Sequence, residues 1–337
     1  MGVEAFDGQR EPELASKTPK CINFEGVKVQ WGKGEWEFNH LTLGLGKIVK
    51  PTYSIYNPAH RSEIVDRLSA GETAAGMMMG NFGLLKILNA SGSADALFEV
   101  KQRPKDQNFV ALVHPENIID ILDMDRLFQK PYRIEFLMSD KRSKLYAAGP
   151  QHIIVPVKTS TVNEAFIHKD DQTMSCFWIP DHFGFEGLIN EMKRKNVKGF
   201  IGGSSLNIHG KPPFYTKESL CREMAQQESW LKEIDFIVFD DIVEAANIGR
   251  SQTMIRYVDD NPEIFRVGSV SVNRMWEKSK YEILLSKDMK FASSKTVYNR
   301  ENDVATDEKV IQVLQRIQRF SLSLYPKPDL VDRKFLL

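Results

Sequence analysis

The chain has 337 residues, with 45 Lys and Arg against 45 Asp and Glu, so its formal net charge is zero. That balance removes the whole-molecule electrostatic case for nucleic acid or an anionic membrane as partner, while leaving room for a local basic pocket. Three widely spaced cysteines, Cys21, Cys176 and Cys221, exclude a disulfide scaffold and a Cys-only zinc site and point to a reducing compartment. No apolar run approaches the roughly 20 residues that cross a bilayer, and the first residues lack a signal-peptide core. A cytoplasmic protein without a membrane partner is expected.

Residues 1–20 are polar and aperiodic and read as a disordered tail. In 21–57, Val27, Val29 and Trp31 alternate with polar residues, Gly32-Lys33-Gly34 follows, then Trp36 and Phe38, which predicts a hairpin extension. Asn57-Pro58 reads as an N-cap with proline at the first helical position, and Gly71 as a C-cap. From there short β-rich runs and helical patterns interleave. Strands are predicted at TAAGMMM, FGLLKIL, FVALVH, RIEFLM, HIIVPVK, TMSCFWIP, VKGFIGG, IDFIVFD, TMIRYV and EIFRVGSVSV. Helices are predicted at SADALFEVK, PENIIDILDMDRLF, HFGFEGLINEMKRKN and TKESLCREMAQQESWLKE. The main domain spans 58–275, and 276–337 forms an extension with a long helix carrying Val310, Val313, Leu314, Ile317 and Phe320 on one face. The fold class is mixed α/β (α+β) around one sheet.

The common catalytic signatures are missing: no GxxxxGK[ST], no HExxH, no GxSxG. The seven histidines show no metal-ligand spacing. Asp240-Asp241, closing a strand, offers two hard oxygen ligands that suit Mg²⁺, or else a solvated strand end. The strongest chemical signal is Lys101 and Arg103, two residues apart at a helix exit that Pro104 closes. Two cations that near repel unless an anion lies between them. Phosphate suits the pair, since guanidinium grips it as a fork and ammonium as a point charge. A solvated basic helix end is the plainer alternative.

At these residues a resemblance emerges. Lys101-Gln102-Arg103-Pro104 with the run from Asn108 to His114 resembles the KxRP…NPLxVH signature of the YrdC-like, or threonylcarbamoyl-AMP synthase, family. In the same order, the stretch from Gly71 through Leu84 resembles GGxVAxPT(D/E)TVYGL, and Gly149-Pro150-Gln151-His152 resembles GPLT. Phe177-Trp178-Ile179-Pro180-Asp181-His182 resembles VRxPxH, and the run from Gly203 to Pro212 resembles APSANxSGxP. Gln252-Thr253 closes a GxxST-like stretch and Arg266 sits in an LLRxG-like one. The resemblance covers about 58–270.

What the resemblance implies is a twisted, open mixed sheet with a positive concave cleft. The family joins ATP, with Mg²⁺, to bicarbonate and threonine as threonylcarbamoyl-AMP and pyrophosphate; related domains handle carbamoyl-adenylates, and others bind nucleotide or RNA. Carried over by position, Lys101, Arg103, Ser205, Asn207, Thr253 and Arg266 would cradle the nucleotide, and His114 would orient a carboxylate or bicarbonate. The acceptor half departs from the pattern. Met77-Met78-Met79-Gly80 replaces PTDT, Trp178 replaces the VRxP arginine, and His152 replaces the GPLT threonine. Met78, Gly80, His152 and Trp178 would line an acceptor pocket unsuited to threonine. The expectation is an enzyme, a nucleotidyltransferase or carbamoyltransferase relative, using ATP, bicarbonate and another amine or amino acid. A non-catalytic nucleotide- or RNA-binding module and a carbamoyl-phosphate-dependent transferase are the alternatives. Oligomeric state is not legible.

Overall fold

The computed structural model describes residues 21–24, 27–32, 35–40, 46–55, 57–78, 81–140, 142, 151–178, 185–208, 217–238 and 252–266. The expected tail and C-terminal helix lie outside the described residues, as do Gly80, Asp240 and Asp241. The chain begins with an antiparallel meander of β1 (Cys21–Phe24), β2 (Val27–Gly32), β3 (Glu35–His40) and β4 (Gly46–Tyr53). Trp31 pairs with Trp36 across β2 and β3.

Helix α1 (Pro58–Ser69) starts as its sequence predicts: Asn57 Oδ1 accepts from the Ala59 amide at 3.0 Å. Gly71, at φ +93°, lets the chain turn out of the helix. Strands β5 (Ala74–Met78) and β6 (Asn81–Leu88) form a hairpin. Helix α2 (Asp95–Lys101) leads into β7 (Val110–Leu112).

The next stretch departs from its periodicity. The single helix expected over 115–128 is two short ones, α3 (Ile118–Ile121) and α4 (Met124–Leu127). Leu122 bridges to Val157, and the Ile121 carbonyl accepts from Lys158 at 2.8 Å, so pairing with the neighbouring chain interrupts the helix. The strand expected at 133–138 is a helix, α5 (Arg133–Leu137). Tyr132 and Phe136, four apart, both pack their rings on Tyr257. That i, i+4 contact requires helical spacing and overrides the apparent alternation of Ile134 and Phe136.

Then follow β8 (Gln151–Pro156), the two-residue β9 (Ile167–His168), β10 (Thr173–Trp178), α6 (Phe185–Arg194) and β11 (Phe200–Ser205). The helix expected over 216–233 breaks at Gln227, whose backbone is extended, into α7 (Lys217–Gln226) and α8 (Glu228–Glu233). Strands β12 (Phe236–Val238), β13 (Thr253–Arg256) and β14 (Glu263–Arg266) complete the set.

All fourteen described strands join one mixed sheet, ordered β1-β2-β3-β4-β12-β5-β6-β11-β7-β10-β8-β13-β14, with β9 beside β10. Strand β12 slots between β4 and β5, parallel to both. It is locked by reciprocal backbone and side-chain bonds of Asp235 with Thr73, each 2.8 Å. Two glycines in this sheet region are sterically required. Gly199 sits at φ +100°, where a β-carbon would lie 2.5 Å from the Leu88 carbonyl oxygen. At Gly202 it would lie 2.8 Å from the Phe166 ring. Among the described residues no helix is long and apolar enough to cross a membrane.

Candidate functional site

The two cations at the α2 exit reach the sheet because of one backbone residue. Gln102 adopts the left-handed conformation (φ 47°, ψ 46°), and the Arg103 amide bonds back to the Phe98 carbonyl at 3.2 Å. This helix-ending reversal lets Lys101 and Arg103 both point at the end of β11. Buried Trp230 of α8 donates its indole N–H to the Val100 carbonyl at 2.7 Å, fixing the last turn of α2 in place.

Lys101 is 1% exposed. Its Nζ donates to the Ser205 carbonyl at 2.6 Å and to Asn207 Oδ1 at 3.0 Å. Among the described residues no carboxylate pairs with it. Burial, with Arg103's charge adding to it, lowers the ammonium pKa to about 7. Arg103 spans the same junction. Its Nη1 donates to the Asn108 carbonyl at 2.8 Å, its Nη2 to Ser204 Oγ at 3.3 Å, and its guanidinium lies 5.2 Å from the Phe109 ring centre. Four of the six sequence-selected nucleotide residues therefore meet: Lys101, Arg103, Ser205 and Asn207.

The sheet register separates the other two. Ser205 is the last residue of β11. Thr253 is the first of β13 and pairs with Gln151, which pairs with Trp178. Following the ladder through β10 and β7 brings Thr253 level with Phe200, at the opposite end of β11 and four strands away. Arg266 pairs with Met254 at that far end. His114 lies there too, just past β7, its Nδ1 accepting from the Glu116 amide at 3.3 Å. The expected single cradle is thus two groups of residues, one at each end of the strands.

The far group includes two of the acceptor-pocket residues. Trp178 is fully buried in β10. His152 of β8 packs against Phe177, ring centres 4.2 Å apart, and burial, then the charge of Arg266, hold its pKa well below the ordinary histidine value. Met78 closes β5, and its backbone shares the Lys101 end of the sheet through the Gly76–Gly83–Ser205 register. Sequence reasoning overlooked Gln252 and Ser204. Gln252 stands where the family pattern has serine, and that mismatch was the available signal.

Among the described residues no group of three or more His, Cys, Asp or Glu side chains could hold a metal ion.

The family model for Sua5, YciO and YrdC proteins, described as telomere recombination, matches residues 66–268, more than half of the chain. The chain belongs to the Sua5/YciO/YrdC family. Among solved structures, P. abyssi Sua5 complexed with L-threonine superposes with a TM-score of 0.53 at 16% identity, over 81% of this chain and 76% of that one. Escherichia coli YciO matches at 0.46 and 13%, over 67% and 99%. A full-length HypF in its phosphate- and nucleotide-bound form matches at 0.45 and 16%, over 62% and 29%. No curated protein matches the sequence. The Sua5 likeness gives this chain the Sua5/YciO/YrdC fold: a mixed sheet covered by helices, with the β1–β4 meander lying ahead of the matched family region.

Proposed function

We propose that this chain binds ATP, or an adenylate made from it, and forms or uses a carbamoyl-adenylate-type intermediate from bicarbonate and an amine or amino acid other than threonine. One observation carries the reading. A lysine with 1% exposure is held beside an arginine at the end of a strand, and its partners among the described residues are neutral oxygens. A phosphate beside Lys101 would offset the charge that burial there disfavours, and Arg103 is placed to share it.

The residues divide the work. Lys101 and Arg103 neutralise charge that builds on the phosphates as the carbamate oxygen attacks and pyrophosphate leaves. Asn207 holds the Lys101 amine in line, and Ser204 holds the Arg103 fork. The chemistry asks for positioning and electrostatics more than for a protein nucleophile. Mg²⁺ bound to ATP would supply further neutralisation of the phosphates. Trp178, buried where the family pattern has arginine, removes a cation that would grip an amino-acid carboxylate, and so argues against threonine.

The test is pyrophosphate release from ATP with bicarbonate and a panel of amines, threonine included. Release with an apolar or bulky amine and little with threonine is the expected result. Phosphate release from carbamoyl phosphate instead would favour the carbamoyl-transfer alternative. Stabilisation by ATP without turnover of any amine would favour a binding module, for which the loss of the acceptor arginine is the supporting observation. If ATP neither stabilises the protein nor is consumed, the reading fails.

A further inference from the structure

A cavity of about 360 Å³ opens at the end of β6 and β11 that lies away from Lys101. Leu88 of β6 pairs with Phe200, the first residue of β11, whereas Lys101 bonds to Ser205, the last. The cavity floor is aliphatic, made by Leu68 at the end of α1, Ile87 of β6 and Val197 ahead of β11, all buried or half-buried. Half-buried Lys86 and exposed Asn89 and Lys198 supply the polar lining.

Contacts within the protein fix these walls. Buried Asn163 donates to the carbonyls of Asn89 and Gly92 at 2.6 and 2.8 Å and so holds the 89–92 loop. Gly199, with no β-carbon, lets the turn that carries Lys198 sit directly on Leu88 and Asn89. On the opposite wall Lys86 Nζ donates to the Gly71 carbonyl and, at 3.3 Å, to Thr73 Oγ1. A cavity held this way asks little ordering of a ligand.

The polar groups left over are donors. Asn89 Oδ1 accepts from the Ser91 amide at 3.1 Å and from Ser91 Oγ at 3.3 Å, and its Nδ2 has no partner among the described residues. Lys198 pairs with no carboxylate among the described residues. Lys86 has used two of its three N–H groups. The charges of Asp235, Glu233 and Glu72 act on Lys86, yet burial outweighs them and lowers its pKa. Two of these carboxylates have partners of their own: Glu72 meets Arg67 at 2.6 Å, and Asp235 accepts from the Thr73 amide at 2.8 Å. An anion in the cavity therefore gains from both lysines.

We propose that Lys86, Asn89 and Lys198 form a binding site for a phosphate monoester of a small organic molecule, whose organic body lies on Leu68, Ile87 and Val197. A phosphate monoester carries roughly two negative charges at neutral pH, which match two ammonium groups, and three terminal oxygens for three separate donors. A carboxylate offers one charge and two oxygens. The cavity is larger than a bare phosphate fills, and its aliphatic floor gives the ester's carbon skeleton apolar surface to cover. The site goes beyond ATP binding at Lys101 and does not depend on it.

The test titrates phenyl phosphate, glycerol phosphate, inorganic phosphate, benzoate and glycerol separately into the full chain at constant ionic strength. Methyl NMR of Ile87 and Val197 localises the binding, and calorimetry gives its strength. An ester is expected to shift those methyls and to bind about tenfold or more tightly than benzoate, glycerol or inorganic phosphate. Lys198→Gln, at an exposed position, should weaken ester binding about tenfold, the loss expected for one charge-assisted hydrogen bond. Lys101→Met should leave it unchanged. Response to phenyl phosphate alone identifies an apolar body, and response to glycerol phosphate alone a polar one; either supports the site. No methyl shift with either ester overturns it. So does binding of benzoate or inorganic phosphate as tight as that of the esters, or an ester affinity that Lys198→Gln leaves unchanged. Ester binding that Lys101→Met abolishes assigns the ester to the nucleotide end and also overturns the site.

Discussion

Lys101 Nζ lies 2.6 Å from the backbone oxygen of Ser205 and 3.0 Å from the side-chain oxygen of Asn207, 104 and 106 residues further along the chain. The left-handed turn at Gln102 and the end of β11 create this contact together. It leaves a buried amine that no carboxylate among the described residues pairs with, and the first prediction follows from that.

The unfolded chain holds the Lys101 proton up to the usual value of 10.5, and the folded chain only to about 7. Between those values the unfolded state binds more protons, so stability rises with pH across the window, and below it the full cost of burying the charge is present. Urea melts of the wild type should show this rise, and Lys101→Met should flatten it. Binding of ATP should restore the ammonium. Calorimetry in buffers of different ionisation heat should then detect proton uptake in mildly alkaline solution, absent in Lys101→Met. No uptake would separate Lys101 from the phosphates.

Arg103→Lys should weaken ATP binding by about tenfold or more while the fold survives. The fork that reaches the Asn108 carbonyl and Ser204 Oγ at once cannot be reproduced by a single ammonium, and stacking over Phe109 is lost with it. Titration calorimetry with ATP checks this. An unchanged affinity would make Arg103 a structural brace.

Gly199→Ala should cost about 2 kcal/mol or more, read as a lowered urea midpoint, because it combines a positive φ with a backbone clash at Leu88. The clash falls on backbone, which cannot swing away as a side chain could.

Trp178→Arg, which restores the residue type of the family pattern, should destabilise by roughly 3–5 kcal/mol rather than create threonine turnover. The indole fills a fully buried position in β10. A folded variant that released pyrophosphate with threonine would show instead that the position opens onto the substrate.

Several features were legible in the sequence because they are local. The Asn57 cap, the Gly71 turn and most sheet strands rest on side-chain chemistry and periodicity within a few residues. The helix at 133–137 was not, since the contact that selects it, both rings against Tyr257, comes from over a hundred residues away. Nor were the breaks at Leu122 and Gln227, the first of which depends on a bridge to Val157.

The candidate site divides along the same line. Chain order and residue type alone selected Lys101, Arg103, Ser205, Asn207, Thr253 and Arg266 and pointed to the family. Only the tertiary structure decided that four of them converge while Thr253 and Arg266 stand at the other end of the strands beside His152 and Gln252. A motif records which side chains a ligand needs. Strand order and register determine which end of the sheet each one occupies, and those are set by hydrogen bonds between segments that no local pattern relates.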